Sequence, residues 1–207
     1  MALATFRVRQ TLAELRPDLL PLLDEPRETK LNLGSGGDVH GTDSLWLNVD
    51  RSYPEGVEPP KFRGDIRNRE RLAEICKPGT ASLIYTAHVL EHIPYKDVTA
   101  TLKLWADMLR PGGVLYVNVP DPVWAIAHHS GQLGLVHESR RWRGSIEWDR
   151  VQGLIYMGGD HQTTWWEEGL VEKLEESGLN VSVSRAPKSP DANWLAFCEI
   201  TAIGVKP

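Results

Sequence analysis

Apolar positions Val8, Leu12, Leu15, Leu19 and Leu22 recur at spacings of three and four, which is the stripe of an amphipathic helix. Pro17 and Pro21 must divide that helix, since proline lacks the N–H an inner turn requires. The pattern predicts a helical arm over residues 1–28. Short apolar runs follow: Thr29–Leu33, Leu45–Val49 and Ser82–Thr86 read as buried strands, and Lys61–Asp65 as a weaker one. Val114–Val119 carries the strongest strand signal. Between these lie a charged helical stretch from Arg67 to Ile75, stopped by Lys77-Pro78-Gly79, and a helix capped by Asp97. The second helix presents Leu102, Leu104, Trp105, Met108 and Leu109 and ends at Arg110-Pro111-Gly112-Gly113. A last helix over Thr164–Ser177 stops at Gly178, a natural residue for a left-handed helix end. Leu179–Ser184 and Asn193–Ile203 are two further strands.

Strands that alternate with helices, and that are apolar throughout rather than on every second residue, indicate a parallel sheet buried on both faces. The fold class is therefore α/β, a Rossmann-like, mostly parallel sheet with helices on both faces. The final two strands, joined by a turn-rich connection, are expected to run antiparallel. In such sheets ligands bind at the carboxyl ends of the strands. Residues 121–163 break the rhythm with His128, His129, His137, His161, Trp124, Trp142 and Trp148 and read as an insertion, a lid. The 207 residues suit one domain. Within it, residues 1–28 form the arm, 29–120 the half expected to bind a ligand, 121–163 the insertion, and 164–207 the closing helix and strand pair.

Composition narrows the partners. Hydrophobic residues make up 41% and charged residues 25%, as in ordinary globular domains. The net charge of −5 argues against a protein held on nucleic acid by phosphate neutralisation. No apolar run reaches the ~20 residues a bilayer span needs, and the first residues lack a signal peptide's apolar core; a cytoplasmic protein without a membrane partner is the expectation. Cys76 and Cys198 form neither a disulfide framework nor a Cys-x-x-Cys pair and read as buried thiols.

Five segments carry candidate chemistry: Leu31-Asn32-Leu33-Gly34-Ser35-Gly36-Gly37, Trp46-Leu47-Asn48-Val49-Asp50, Gly64-Asp65-Ile66, Leu83–Pro94 with its His88-Val89-Leu90-Glu91-His92 core, and Leu109–Pro120. The glycines let the backbone approach a ligand and take up positive φ, so that N–H groups can meet a polar tail; a plain strand-ending turn would use them too. Asp50 at a strand end suits two ribose hydroxyls, or a helix cap. In order and spacing the set resembles the class I S-adenosylmethionine-dependent methyltransferases, above all a compact subgroup with Leu-Asn-Leu-Gly-x-Gly and His-Val-Leu-Glu-His motifs. The resemblance implies S-adenosyl-L-methionine as methyl donor and S-adenosyl-L-homocysteine as product. It implies that Leu33, Gly34, Ser35, Gly36, Asp50, Arg51, Asp65, Ile66, Thr86, Ala87 and His88 hold the donor, with Asp65 and the Ile66 backbone at adenine. Only residues 38–44 separate the glycines from the next strand, so the first helix is expected to be shortened or missing.

Methyl transfer from a sulfonium asks the protein mainly for proximity and alignment, and a hydroxyl acceptor also asks for a base. His161, after Asp160, and His88 are the candidates for catalysis, although a hydrogen-bonding structural role suits either. His128, His129, His137 and His161 match no zinc spacing, so no metal is expected. Arg140, Arg141, Arg143 and Arg150 could meet an anionic acceptor or pair with their acidic neighbours. The expected activity is methylation of a small-molecule acceptor, foremost O-methylation of a sugar or secondary metabolite. Two other readings stay open. A nicotinamide-dependent Rossmann oxidoreductase or epimerase would want glycine where Val39 stands and a helix to receive pyrophosphate. A non-catalytic S-adenosylmethionine-binding module would keep the same motifs.

Overall fold

A computed structural model of the chain describes residues 3–25, 27–36, 46–53, 55–56, 61–122, 160–185 and 199–207. The arm is helix α1 (Leu3–Leu15), a single 3₁₀ turn at Pro17–Leu19, and the short α2 (Pro21–Asp24). Both prolines stand at the first position of their helical segments, where the missing N–H has no intrahelical role. The strands are β1 (Thr29–Leu33), β2 (Trp46–Asp50), β3 (Lys61–Arg63), β4 (Ala81–Ala87), β5 (Leu109–Pro120), β6 (Asn180–Arg185) and β7 (Glu199–Val205). The remaining helices are α3 (Arg69–Ile75), α4 (Tyr95–Met108) and α5 (Glu167–Glu176).

All seven strands join one sheet in the order β3-β2-β1-β4-β5-β7-β6. Pairing is parallel from β3 through β5, and β7 runs antiparallel to both β5 and β6. The strand order reverses between β1 and β4, which opens a crevice at their carboxyl ends. This is the Rossmann-like sheet with a closing antiparallel pair that the hydrophobic pattern predicts.

Successive residues of a strand face opposite sides, and the core divides accordingly. Leu31, Leu33, Val49, Ile84, Leu115 and Val117 face α3, α4 and α5, where Leu72, Leu102, Trp105, Leu170 and Leu174 close the larger cluster. On the other face Trp46, Leu83, Tyr85, Val114, Tyr116 and Ile203 pack under Val8, Leu12 and Leu19 of the arm. The Thr11 hydroxyl lies 3.2 Å from the Tyr116 hydroxyl, so the buried polar atoms under α1 also find partners. The arm is thus a layer of the fold.

Among the boundaries that differ from the sequence expectation, three have a clear physical cause. Helix α4 starts at Tyr95 with Pro94 in the cap position, and Asp97 donates its own N–H to the Pro94 carbonyl at 2.8 Å. Asp97 therefore sits inside the first turn, where a carboxylate favours the positive end of the helix dipole, and does not cap. Helix α3 begins at Arg69, after Asn68, whose side chain accepts the Arg71 N–H at 2.7 Å. Arg110–Gly113 belongs to β5, absorbed by a register shift against β4 between Ala81 and Leu83. The shortened first helix, the lid at 121–163 and the arginine cluster fall largely or wholly outside the described residues. Among the described residues no helix is long and apolar enough to cross a membrane.

Candidate functional site

At the crevice the chain forms a cleft of about 280 Å³ whose walls include Gly34, Asp50, Asp65, Ile66, His88 and His92. Its first wall is the turn after β1. The Gly34 N–H donates to the Val49 carbonyl at 2.8 Å, which carries the β1–β2 pairing one residue beyond the strand. Gly34 has φ +72°, and a Cβ there would come within 2.3 Å of Val89 Cγ2. Only glycine lets the two segments close on each other here.

Asp50, at the end of β2, locks this turn in place. Its Oδ2 accepts the Gly36 N–H at 2.8 Å and its Oδ1 accepts the Ser52 N–H at 3.1 Å. Each carboxylate oxygen can accept more than one hydrogen bond, so the group keeps capacity toward the cleft. Asp65 forms the adjoining wall. It accepts the backbone N–H of Arg67 at 2.9 Å, the Arg67 guanidinium at 2.9 Å and the Arg51 guanidinium at 2.6 Å. The Arg67 hydrogen bond above all holds its carboxyl well below the usual carboxylate range, against a smaller opposing effect of burial. The Ile66 carbonyl accepts the indole N–H of the buried Trp105 at 2.9 Å, which ties this wall to α4.

The third wall follows β4. His88 has φ +55°, unusual for a residue other than glycine, and its N–H donates to the Asn118 carbonyl of β5 at 3.0 Å. Its Nε2 lies 2.6 Å from Glu199 Oε1 and its Nδ1 3.3 Å from Glu91 Oε1. Burial works against a charged ring, yet the hydrogen bonds to Glu199 and Glu91 prevail and raise its pKa to about 9. His88 is an imidazolium near neutral pH, pinned between two buried carboxylates. Glu199 is held in turn by the Asn118 amide at 3.1 Å.

Glu91 and His92 lie in a single 3₁₀ turn, Leu90–His92. The segment before α5 is clamped to it, because the N–H groups of Gln162 and Thr163 both donate to the Glu91 carbonyl, at 2.7 and 3.0 Å. His161 is thereby brought beside Glu91, Nε2 to Oε1 3.9 Å, and edge-on to His92 at 4.8 Å between ring centroids. His92 Nδ1 lies 3.1 Å from the Asp160 carbonyl. A carbonyl only accepts, so Nδ1 carries the proton and Nε2 of the neutral ring carries the lone pair.

Of the residues singled out in sequence, Gly34, Asp50, Arg51, Asp65, Ile66 and His88 line one cleft. Leu33, Ser35, Gly36, Thr86, Ala87 and His161 are not among its lining residues. Leu33 and Thr86 are buried in the sheet, and Gly36 acts through Asp50. Sequence reasoning assigned no site role to Arg67, Val89, Ile93, Pro94 and Gln162, and read His92 as structural, yet all of them line it as well. Val89 to Pro94 lie in a recognised motif and could have been included whole; Arg67 and Gln162 carry no signal of their own.

The profile of a family described as a methyltransferase domain matches residues 7–182. No curated protein matches the sequence. Among solved structures the chain resembles an S-adenosylmethionine-dependent methyltransferase from Archaeoglobus fulgidus, with a TM-score of 0.59 at 12% identity over 98% of this chain and 94% of that one. It also resembles a putative S-adenosylmethionine-dependent methyltransferase from Listeria monocytogenes, with a TM-score of 0.58 at 16% identity over 96% and 97% of the two chains. A third likeness is to the methyltransferase CalH in complex with S-adenosylhomocysteine, with a TM-score of 0.57 at 15% identity over 97% of this chain and 56% of that one. At these identities the structural likenesses establish the fold.

Proposed function

The chain belongs to the methyltransferase-domain family, and from that premise we propose that its cleft holds S-adenosylmethionine and that the methyl group passes to an oxygen of a small-molecule acceptor. The observation that carries this reading is the meeting of the Gly34 turn, Asp50, Asp65 and His88 at the carboxyl ends of β1, β2, β3 and β4. The donor, when bound, supplies a methyl group already activated on a sulfonium. The protein's own part is to bind, to align and to deal with one proton.

Asp50 offers carboxylate lone pairs to two ribose hydroxyls while its backbone hydrogen bonds keep it rigid. Asp65 and Ile66, braced by Arg67 and Trp105, shape the neighbouring wall for the base. His88 is fixed by both ring nitrogens, which suits a positioning role better than proton acceptance, since a base must be unprotonated at working pH. The histidine-lined wall, where His92 borders the cleft, assists the loss of the acceptor's proton. A hydroxyl acceptor is the class that needs such a group; an acceptor already nucleophilic would not.

Calorimetric titration with S-adenosylhomocysteine and NADH tests the donor. S-adenosylhomocysteine should bind with 1:1 stoichiometry, and tight binding of NADH with no response to the sulfur nucleotide would sink the reading. Release of S-adenosylhomocysteine across a panel of nucleotide sugars, phenols and carboxylic acids then identifies the acceptor. Turnover confined to amines would overturn the choice of oxygen.

A further inference from the structure

We propose that Glu91, His92 and His161 form a site for a divalent transition-metal ion of the zinc class on the wall of the cleft. One carboxylate oxygen and two imidazole nitrogens lie within 4.8 Å of one another. Three ligands at ~2.1 Å bonds around a tetrahedral ion sit ~3.4 Å apart, so the ligand atoms need draw together by at most about 1.4 Å.

The carboxylate is the informative member. Glu91 is 1% exposed, and beyond the ring of His88, which faces Oε1 at 3.3 Å, neither of its oxygens has a hydrogen-bond partner among the described residues. His161 Nε2 lies 3.9 Å from the same oxygen. Buried carboxylates ordinarily collect several donors, so one with a single donor ring at hand and two further imidazoles beside it has room to accept a cation. The histidines are prepared for it too. The Asp160 carbonyl takes the Nδ1 proton of His92, the outer hydrogen bond that fixes the tautomer of a metal-binding histidine. The hydrogen bonds from Gln162 and Thr163 to Glu91, and from the Gln162 amide to the His92 carbonyl at 3.2 Å, hold the two segments in register. Their spacing in sequence hides the site, because Glu91 and His161 are brought together only by that clamp.

Two imidazoles and one carboxylate leave a divalent ion with a net positive charge and an open position, the pattern of a catalytic rather than a closed structural site. His92 lines the cleft, so the open position borders the space where an acceptor must lie. The role assigned to it rests on the oxygen-methylation reading: the acceptor hydroxyl binds the ion through oxygen and releases its proton to solvent, and the lone pair so exposed is held toward the donor. His88, whose Nδ1 lies 3.3 Å from Glu91 Oε1, then orients the carboxylate.

The test uses the full chain stripped with a chelator and titrated with Co²⁺ under visible absorption, with Zn²⁺ as competitor. One equivalent of Co²⁺ should bind with the intense bands of a low-coordinate site, and Zn²⁺ should displace it. His92→Ala and His161→Ala should each weaken binding at least tenfold while circular dichroism of the metal-free proteins stays unchanged. His92 is exposed, so its variant keeps the test valid even if the buried position does not tolerate alanine. Absence of stoichiometric binding, or binding equally tight in His92→Ala, overturns the site. Acetohydroxamate should shift the Co²⁺ bands if a coordination position is open, and an unmoved spectrum overturns the acceptor role. S-adenosylhomocysteine titrated into the same preparations separates the two readings: failure there condemns the donor assignment and leaves the metal site standing.

Discussion

At Gly34 two constraints meet, a left-handed backbone and a neighbouring side chain that a Cβ would strike at 2.3 Å. Gly34→Ala should therefore cost roughly 2–5 kcal/mol, the sum of a left-handed alanine and an over-packed contact, read as a lower urea midpoint at unchanged slope. Asp50 is the second residue whose chemistry is committed. An amide at that position has one acceptor oxygen where the carboxylate has two, so it can serve either the Gly36 or the Ser52 N–H but not both with the same geometry. Asp50→Asn should weaken S-adenosylhomocysteine at least tenfold by calorimetry, with the fold retained. An affinity equal to that of the parent would remove Asp50 from the donor site.

Among the elements, α1 is a structural layer, since Val8 and Leu12 are fully buried against the sheet. Leu12→Ala should destabilise the protein by about 2–5 kcal/mol, the range for a core leucine that leaves a cavity, measurable by denaturant unfolding. The connection from β3 to α3 carries a different kind of stabilisation. The Asp65 carboxyl, lowered by Arg67 and Arg51, binds its proton less readily folded than unfolded. Its contribution is present above the unfolded value near ~4 and is lost as pH falls through the lower folded value. Wild type should exceed Asp65→Asn in stability by about 1 kcal/mol at pH 6, a figure kept small by solvent screening of a partly exposed pair. The difference should shrink as the pH is taken below 4; a constant gap down to pH 2 would show that charge is not its source.

For the molecule as a whole, a ligand that binds only the folded state raises stability by mass action, about 2.7 kcal/mol at a hundredfold excess over its dissociation constant. S-adenosylhomocysteine should accordingly raise the melting temperature by several degrees with a logarithmic dependence on concentration. The sheet gives this linkage its reach. Asp50 ends β2 and His88 follows β4, so walls of the cleft are also strand ends, and His88 reaches the antiparallel pair through Glu199 at the start of β7. A ligand joining those walls stabilises the parallel half of the sheet and its antiparallel edge together.

Much of this was legible in the order of residues. Buried strands such as Leu31–Leu33 and Val114–Val119 declare themselves because burial on both faces demands unbroken apolar runs, and Pro17, Pro21 and Gly178 mark helix limits through their own backbone chemistry. The Gly34 turn could be named for the same reason, since local conformational need leaves a local sign, whereas Asp50 and the His88–Pro94 segment are named through the family resemblance. The boundary at Pro94, with Asp97 drawn inside the helix, could not, because capping depends on where the chain enters the turn. Nor could the partners of His88, where Glu199 comes from the far end of the chain, or the approach of His161 to Glu91. Those contacts join residues that share no pattern along the chain, and only the crossing of β4, β5 and β7, with the clamp before α5, brings them within reach of one another.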